Sequence, residues 1–216
     1  MEQGILKDWQ KKVIRFIASS DQLSSFYLTG GTALAGYYLQ HRVSDDLDFF
    51  SYEDIDLIFI HKVAEDLKDI IGSKSMRFSR LYDRYQFFYA SDTDEYKVEF
   101  TKYPFKQLSE VNVFDGLRTD SELDIAVNKL LTVVDRFDPK DFVDLYFLLQ
   151  KHTLDELKEG VEKKFGVKLD SLTIGSALSK VKNIVALPKM TKNLPLDEIK
   201  KFFSAEARKL SSVILG

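Results

Sequence analysis

Between residues 26 and 50 the chain reads FYLTGGTALAGYYLQHRVSDDLDFF: an apolar run that stops at Thr29-Gly30-Gly31-Thr32, then an acidic run, Asp45-Asp46-Leu47-Asp48, leading into Phe49-Phe50. Aromatic and aliphatic residues bounded by a glycine pair predict a strand over 26–29, a helix from about 33 to 39 and a second strand headed by the acids. Two glycines at a strand-to-helix turn let the backbone come close to a ligand. The N–H groups of the helix that follows point at whatever sits there, which seats a phosphate. The same turn without a ligand is an ordinary helix start. Asp46 and Asp48 are two apart on a strand, so both carboxylates project from one face with Cα atoms roughly 6–7 Å apart. Such a pair can hold Mg²⁺, whereas Asp45, one residue out of step, points to the other face.

Around this segment the periodicities predict both helices and strands. Leu6, Trp9, Val13, Phe16 and Ile17 mark an amphipathic helix over 6–19. A second helix over 54–71, with Ile58, Val63, Leu67 and Ile70 toward the core, is closed by Gly72. Extended segments at 76–81, 85–91 and 97–103 are separated by Asp83-Arg84 and Asp92-Thr93-Asp94-Glu95; they predict an antiparallel meander that continues the first sheet. In the last of them Lys97, Glu99 and Thr101 share one face and Val98 and Phe100 the other. Glu99 therefore either joins the acidic pair or belongs to a plain half-exposed strand. Residues 104–118 read as a connection or irregular edge.

Thr119-Asp120-Ser121-Glu122 offers helix-starting chemistry for a helix to about 135, and Asp138-Pro139 starts another that runs to 150. Further helices are predicted over 154–165, 171–181 and 196–210, broken by Gly166, Pro188 and Pro195. Phe142, Leu145, Tyr146, Phe147, Leu148 and Leu149 read as core packing. The fold class is α/β (α+β): a mixed sheet flanked by helices in residues 1–118, and a helical C-terminal part over 119–216 packed on it.

No apolar run approaches the roughly 18 residues of a membrane span, and Met1-Glu2-Gln3-Gly4 lacks the plan of a signal peptide. Cysteine is absent, which excludes disulfides and thiolate metal sites and makes a reducing cytoplasm the simplest compartment. The net charge of −3 hides an asymmetry. Residues 1–150 carry 18 Lys and Arg against 26 Asp and Glu, net −8; residues 151–216 carry 13 against 8, net +5. A basic C-terminal region suits a polyanion such as RNA, or is simply the solvated faces of amphipathic helices. Three histidines assemble no His-based metal site, and His41 reads as structural.

Gly30-Gly31-Thr32, the run His41-Arg42-x-Ser44-x-Asp46-x-Asp48-Phe49 and the later series Lys129, Arg136, Lys140-Asp141 and Asp144 resemble the nucleotidyltransferase family that includes the AbiEii/AbiGii-type and MenA-like toxins. The resemblance spans roughly residues 20–150. It implies a nucleotidyltransferase-like sheet and Mg²⁺-dependent transfer of a nucleoside monophosphate from an NTP (ATP, GTP, CTP or UTP) to a hydroxyl acceptor. That acceptor would be RNA, tRNA ends included, or a protein. The role implied is the toxin of a bacterial toxin–antitoxin or phage-defence system, neutralised by a separately encoded antitoxin.

Such transfer needs carboxylates for one or two Mg²⁺, amides on the phosphates and a cation for the departing pyrophosphate. The resemblance implies Asp46 and Asp48 as metal ligands, with Glu99 as a third carboxylate that bridges or acts as base. Gly30, Gly31 and Thr32 would bind the triphosphate. The second glycine departs from the Gly-Ser pair of related transferases, and Thr32 is left to supply the hydroxyl. Arg42 and Ser44 would contact phosphate or order the site, Asp144 would orient Lys129, and Asp141 would serve as scaffold. Lys129 shares a helix face with Ile125 and Val133, so its ammonium wants an anion, either the triphosphate or an internal carboxylate. Lys140, four residues before Asp144, could pair with it. The same motifs suit two other proteins: an aminoglycoside-type transferase acting on small molecules, and a non-catalytic nucleotide-binding module.

Overall fold

Short apolar runs and long amphipathic ones sort the chain into a sheet and eight α-helices over the described residues. The computed structural model describes residues 5–91 and 94–214. The start at residues 1–4 and the Asp92-Thr93 part of the polar break lie outside the described residues. The strands are β1 (Tyr27–Thr29), β2 (Leu47–Ser51), β3 (Ser75–Leu81), β4 (Arg84–Ala90), β5 (Glu95–Lys102), β6 (Asn112–Phe114) and β7 (Leu117–Thr119). They form one mixed sheet in the order β3-β4-β5-β2-β1-β7-β6. β3, β4 and β5 make the antiparallel meander, and β5 joins the first sheet by pairing parallel with β2.

Residues 104–118 are a correction to the sequence reading. They contain the β6–β7 hairpin, turned by Asp115 and Gly116 at φ 50° and 80°. Two successive positive-φ residues twist with the strands they join, which is why Asp-Gly favours a tight hairpin. The hairpin places Thr119 beside Leu28 on the open edge of β1.

α1 (Asp8–Ala18) buries Trp9, Val13, Ile14 and Ile17. α2 (Gly30–Ala33) begins on the glycines themselves and widens into a π-helical turn over Leu34–Leu39. The hydroxyl of Tyr38 in that turn donates to the Asp120 carbonyl at 2.7 Å. α3 (Leu57–Ile71) starts later than its sequence suggests, because the Asp56 carboxylate accepts the N–H groups of Ile58 and Phe59. Ile58 thereby falls in the first turn and faces outward, 84% exposed, a second correction; the core positions are Ile60, Val63, Ala64 and Leu67. Gly72 closes the helix in the left-handed region.

α3 covers one face of the sheet. The His61 ring meets Phe87, and the Tyr89 hydroxyl donates to the Ala64 carbonyl. Phe49, Phe87 and Phe100, from β2, β4 and β5, are fully buried. Alternation then sends Asp48, Lys97, Glu99 and Gln86 to the opposite face.

The later helices are α4 (Glu122–Asp135), α5 (Pro139–Leu148), α6 (Leu154–Phe165), α7 (Ser171–Ser179) and α8 (Leu196–Ile214). Asp138 caps α5 by accepting the Lys140 N–H, Thr153 and Glu156 form a reciprocal cap on α6, and Gly166 ends it at φ 68°. Phe142 of α5 and Phe203 of α8 meet edge to face at 5.4 Å. Lys164 of α6 reaches Asp124 of α4 at 2.7 Å in a buried pair.

By their packing these elements fall into two compact units. One comprises Met1–Tyr38, Ser44–Lys106 and Glu110–Ser121 and holds the whole sheet. The other comprises Leu39–Val43, Gln107–Ser109 and Glu122–Gly216 and holds α4 to α8.

Candidate active site

β2 begins at Leu47, so Asp48 lies within the strand and Asp46 on the loop just before it. Asp45 turns away to Lys7 at 2.5 Å. The parallel register of β2 with β5 sets Asp48 beside Glu99. Lys97, two residues before Glu99 on the same face, sends its ammonium among all three acids. Nζ lies 3.3 Å from Asp46 Oδ2, 3.4 Å from Asp48 Oδ1 and 3.5 Å from Glu99 Oε2. The Asp46 side chain is 48% exposed, Asp48 22%, Lys97 18% and Glu99 1%, so the cluster opens to solvent on the Asp46 side.

Glu99 is held from the far side. Arg84 donates through Nε to Oε1 at 2.6 Å and through Nη2 to Oε2 at 2.9 Å; Gln86 donates to Oε2 at 2.8 Å, and the Thr101 hydroxyl to Oε1 at 2.9 Å. Burial opposes its ionisation, but the hydrogen bonds from Arg84 and Gln86 and the charges of Lys97 and Arg84 prevail and bring its pKa down to about 2. Asp48 moves the other way. Burial lifts its pKa and the neighbouring Glu99 and Asp46 add to the rise, with Lys97 only partly offsetting them. Burial tends to strip the proton from Lys97, yet Asp48, Asp46 and Glu99 outweigh it, and its pKa is raised.

Among the described residues no group of three or more acids and histidines is arranged to hold a metal ion. Glu99, expected as the third ligand, has both oxygens taken by donors. Asp46 and Asp48 each aim an oxygen at the Lys97 ammonium, and a pair of carboxylates is a donor set that could hold Mg²⁺, which takes only one or two carboxylates while keeping part of its water shell.

The glycine turn lies against this cluster. Gly30 has φ 71°, and a Cβ placed there would stand 2.9 Å from Asp48 Oδ2. The Thr32 hydroxyl donates to the Asp46 carbonyl, and Gln10 Nε2 donates to the Ser44 carbonyl at 2.9 Å. Thr32, expected to offer its hydroxyl to phosphate, instead pins the loop that carries Asp46.

Two alanine substitutions separate backbone strain from this contact. Gly30→Ala and Gly72→Ala both force a side chain into the left-handed region, at about 1–2 kcal/mol each by urea denaturation. Only Gly30→Ala also pushes on Asp48, since nothing lies within 4 Å of a Cβ at Gly72. Both variants should melt earlier; only Gly30→Ala should lose activity.

The remaining expected residues lie in the helical unit. Lys129 Nζ is buried between Asp141 Oδ1 and Asp144 Oδ2, each at 2.7 Å, so internal carboxylates are its anions. Arg42 grips Asp144 with both arms, Nε to Oδ1 at 2.6 Å and Nη2 to Oδ2 at 2.8 Å. His41 Nε2 lies 2.7 Å from Asp144 Oδ1, while its buried Nδ1 has no partner among the described residues. Burial lowers the His41 pKa, so the neutral ring donates from Nε2. Arg136 also holds Asp141. The sheet unit thus brings together Gly30, Gly31, Thr32, Ser44, Asp46, Asp48 and Glu99, and the helical unit brings together Arg42, Lys129, Asp141 and Asp144.

Sequence reasoning missed Arg84 and Gln86, which fix Glu99, and the central position of Lys97. Alternation put Lys97 on the face of Glu99, and that was the available signal. Arg84 read as part of a break between strands, whereas it is the first residue of β4.

Residues 15–213 match the family described as "Nucleotidyl transferase AbiEii toxin, Type IV TA system". An uncharacterized protein of Aquifex aeolicus (strain VF5) is 34% identical over 171 residues, covering 74% of this chain and 76% of the relative. JHP933 from Helicobacter pylori has a similar structure, with a TM-score of 0.59 at 23% identity over 98% of this chain and 93% of that one. MenT4, a nucleotidyltransferase toxin from Mycobacterium tuberculosis H37Rv, gives a TM-score of 0.55 at 14% identity over 94% and 85% of the two chains. At these identities the two structures bear on the fold.

Proposed function

The chain belongs to the AbiEii family of nucleotidyl transferase toxins, and from that membership we propose Mg²⁺-dependent transfer of a nucleoside monophosphate from an NTP to a hydroxyl of RNA, by a toxin that a separately encoded antitoxin neutralises. The observation that carries this reading is the convergence of Asp46, Asp48 and Glu99 on one point beside the Gly30 bend.

In this reading Asp46 and Asp48 hold the ion. When bound, Mg²⁺ offsets charge on the phosphates and lines them up for in-line displacement. The Gly30-Gly31 bend, bare of side chains, lets the triphosphate approach the N–H groups that open α2. Asp48 packs against that bend, so metal ligand and phosphate seat keep a fixed spacing. Glu99 is held ionised by Arg84 and Gln86. Its part is to hold Arg84 at the rim of the site. Lys129, whose anions are Asp141 and Asp144, and Arg42, bound to Asp144, order the helical unit, while Ser44 lies on the segment leading into the acids. RNA is preferred to a small acceptor because residues 151–216 carry a net +5, with Lys163, Lys168, Lys182, Lys192 and Lys201 all exposed.

The test is to incubate the pure chain with each α-labelled NTP, Mg²⁺ and either total RNA or lysate protein. Label from one NTP should move to RNA, and EDTA should stop it. Transfer that persists in EDTA overturns the metal; label that settles on protein overturns the acceptor.

A further inference from the structure

Lys97, half-buried, is unlike the buried lysines Lys129 and Lys164. Lys129 pairs at 2.7 Å with each of two carboxylates, and Lys164 at 2.7 Å with one, within the range of strong charge-assisted hydrogen bonds. Lys97 stands 3.3, 3.4 and 3.5 Å from three acids and leans toward none of them. That is the placement of a cation filling a negative hollow, not of a donor choosing a partner. Its ammonium occupies the point at which the Asp46 and Asp48 oxygens converge, the point a divalent ion needs.

We propose that Lys97 is the resident counter-ion of the Asp46–Asp48 pair: it holds the carboxylates together when no metal is bound, and a divalent cation must displace it. This rests on the reading that those two acids bind metal. Glu99 gives the displaced ammonium somewhere to stay. Its carboxylate is fixed by Arg84, Gln86 and Thr101, so Lys97 can keep the Glu99 Oε2 contact while releasing the two aspartates. Metal binding is thereby weakened in the free protein, because every ion bound must evict a charge already in place. An incoming triphosphate offers the freed ammonium a second anion, so nucleotide and metal should bind more readily together than either alone.

The experiment is Mn²⁺ binding to the metal-stripped full chain without nucleotide, read by calorimetry and by the electron paramagnetic resonance signal of free Mn²⁺. Wild type, Lys97→Met and the double variant Asp46→Asn/Asp48→Asn are compared. Lys97→Met should bind Mn²⁺ roughly tenfold or more tightly than wild type, since no ammonium competes. Its melting temperature should be lower than wild type in metal-free buffer and recover more on adding Mn²⁺. Equal or weaker binding by Lys97→Met, with measurable binding by wild type, overturns the counter-ion role and leaves the metal pair intact. Unchanged binding by the double variant overturns the metal pair itself, and this proposal with it. Should Lys97→Met fail to fold, Lys97→Gln, uncharged but polar, makes the same comparison.

Discussion

Asp48→Asn should abolish nucleotidyl transfer, lowering kcat/KM by on the order of 10³-fold or more, because it removes one of the two charges proposed to hold the metal ion. The same change should leave the melting temperature at neutral pH unchanged or raised. The sign follows from the Asp48 pKa, which burial pushes above its ordinary value. A carboxylate whose folded pKa is raised is less comfortable ionised in the folded chain than in the unfolded one. Its charge therefore costs stability at pH 7, and the neutral amide removes that cost. Loss of activity with retained or improved stability distinguishes a functional acid from a structural one. Transfer at the wild-type rate by Asp48→Asn would remove Asp48 from the site.

Asp144→Asn should do the reverse and cost about 3–5 kcal/mol, the loss typical of breaking a buried ion pair from one side. Asp144 is fully buried and is the common partner of Lys129, Arg42 and His41. Lys129 would keep Asp141, but the amide leaves one neutral acceptor where Arg42, Lys129 and His41 shared two charged oxygens. Buried Arg42 would be left with only the more distant Asp141 and Asp138 to offset its charge. Burial alone would raise the Asp144 pKa. The charge of Lys129 and the bonds from Arg42 and His41 overwhelm it, and the pKa lies far below the usual carboxylate range. An acid with a depressed folded pKa contributes stability above its unfolded value, about 4, and loses it as pH falls toward the folded value. The gap between wild type and Asp144→Asn in urea should be full at pH 7, narrow below about pH 4, and still be open at pH 2. Glu99, present in both proteins, contributes stability of the same sign to each, lost between about 4 and 2, and so leaves the gap unchanged. A gap below about 1 kcal/mol at pH 7 would mean that the cluster contributes no more than a surface pair.

The sequence made the acid strand, the glycine turn, the meander and most helix ends legible, because each has a local cause. Asp138-Pro139, Gly72 and Gly166 act within a turn of their own position. What escaped depends on residues far apart in the chain. Lys97 and Glu99 belong with Asp48 only because β5 runs parallel to β2 in one particular register, which alternation within β5 cannot specify. Lys129 presented two candidate anions, and the choice required the packing of α4 on α5. Ile58 was misplaced by a single local fact, the Asp56 cap, which moved the helix start and turned the residue outward. The β6–β7 hairpin had a readable Asp-Gly signal, but three-residue strands offer almost no alternation to support it.

β2 is only five residues long, and its neighbours fix it twice: Asp48 faces Thr29 across β1 and Glu99 across β5. Sliding it by one position would drive an aspartate into the space of Phe49 and swing a phenylalanine out among the acids. Such a chain would bury a bare charge in an aromatic core and would not persist as a folded protein. The meeting of Asp48, Lys97 and Glu99 therefore stands or falls with the single register that β1 and β5 impose on β2.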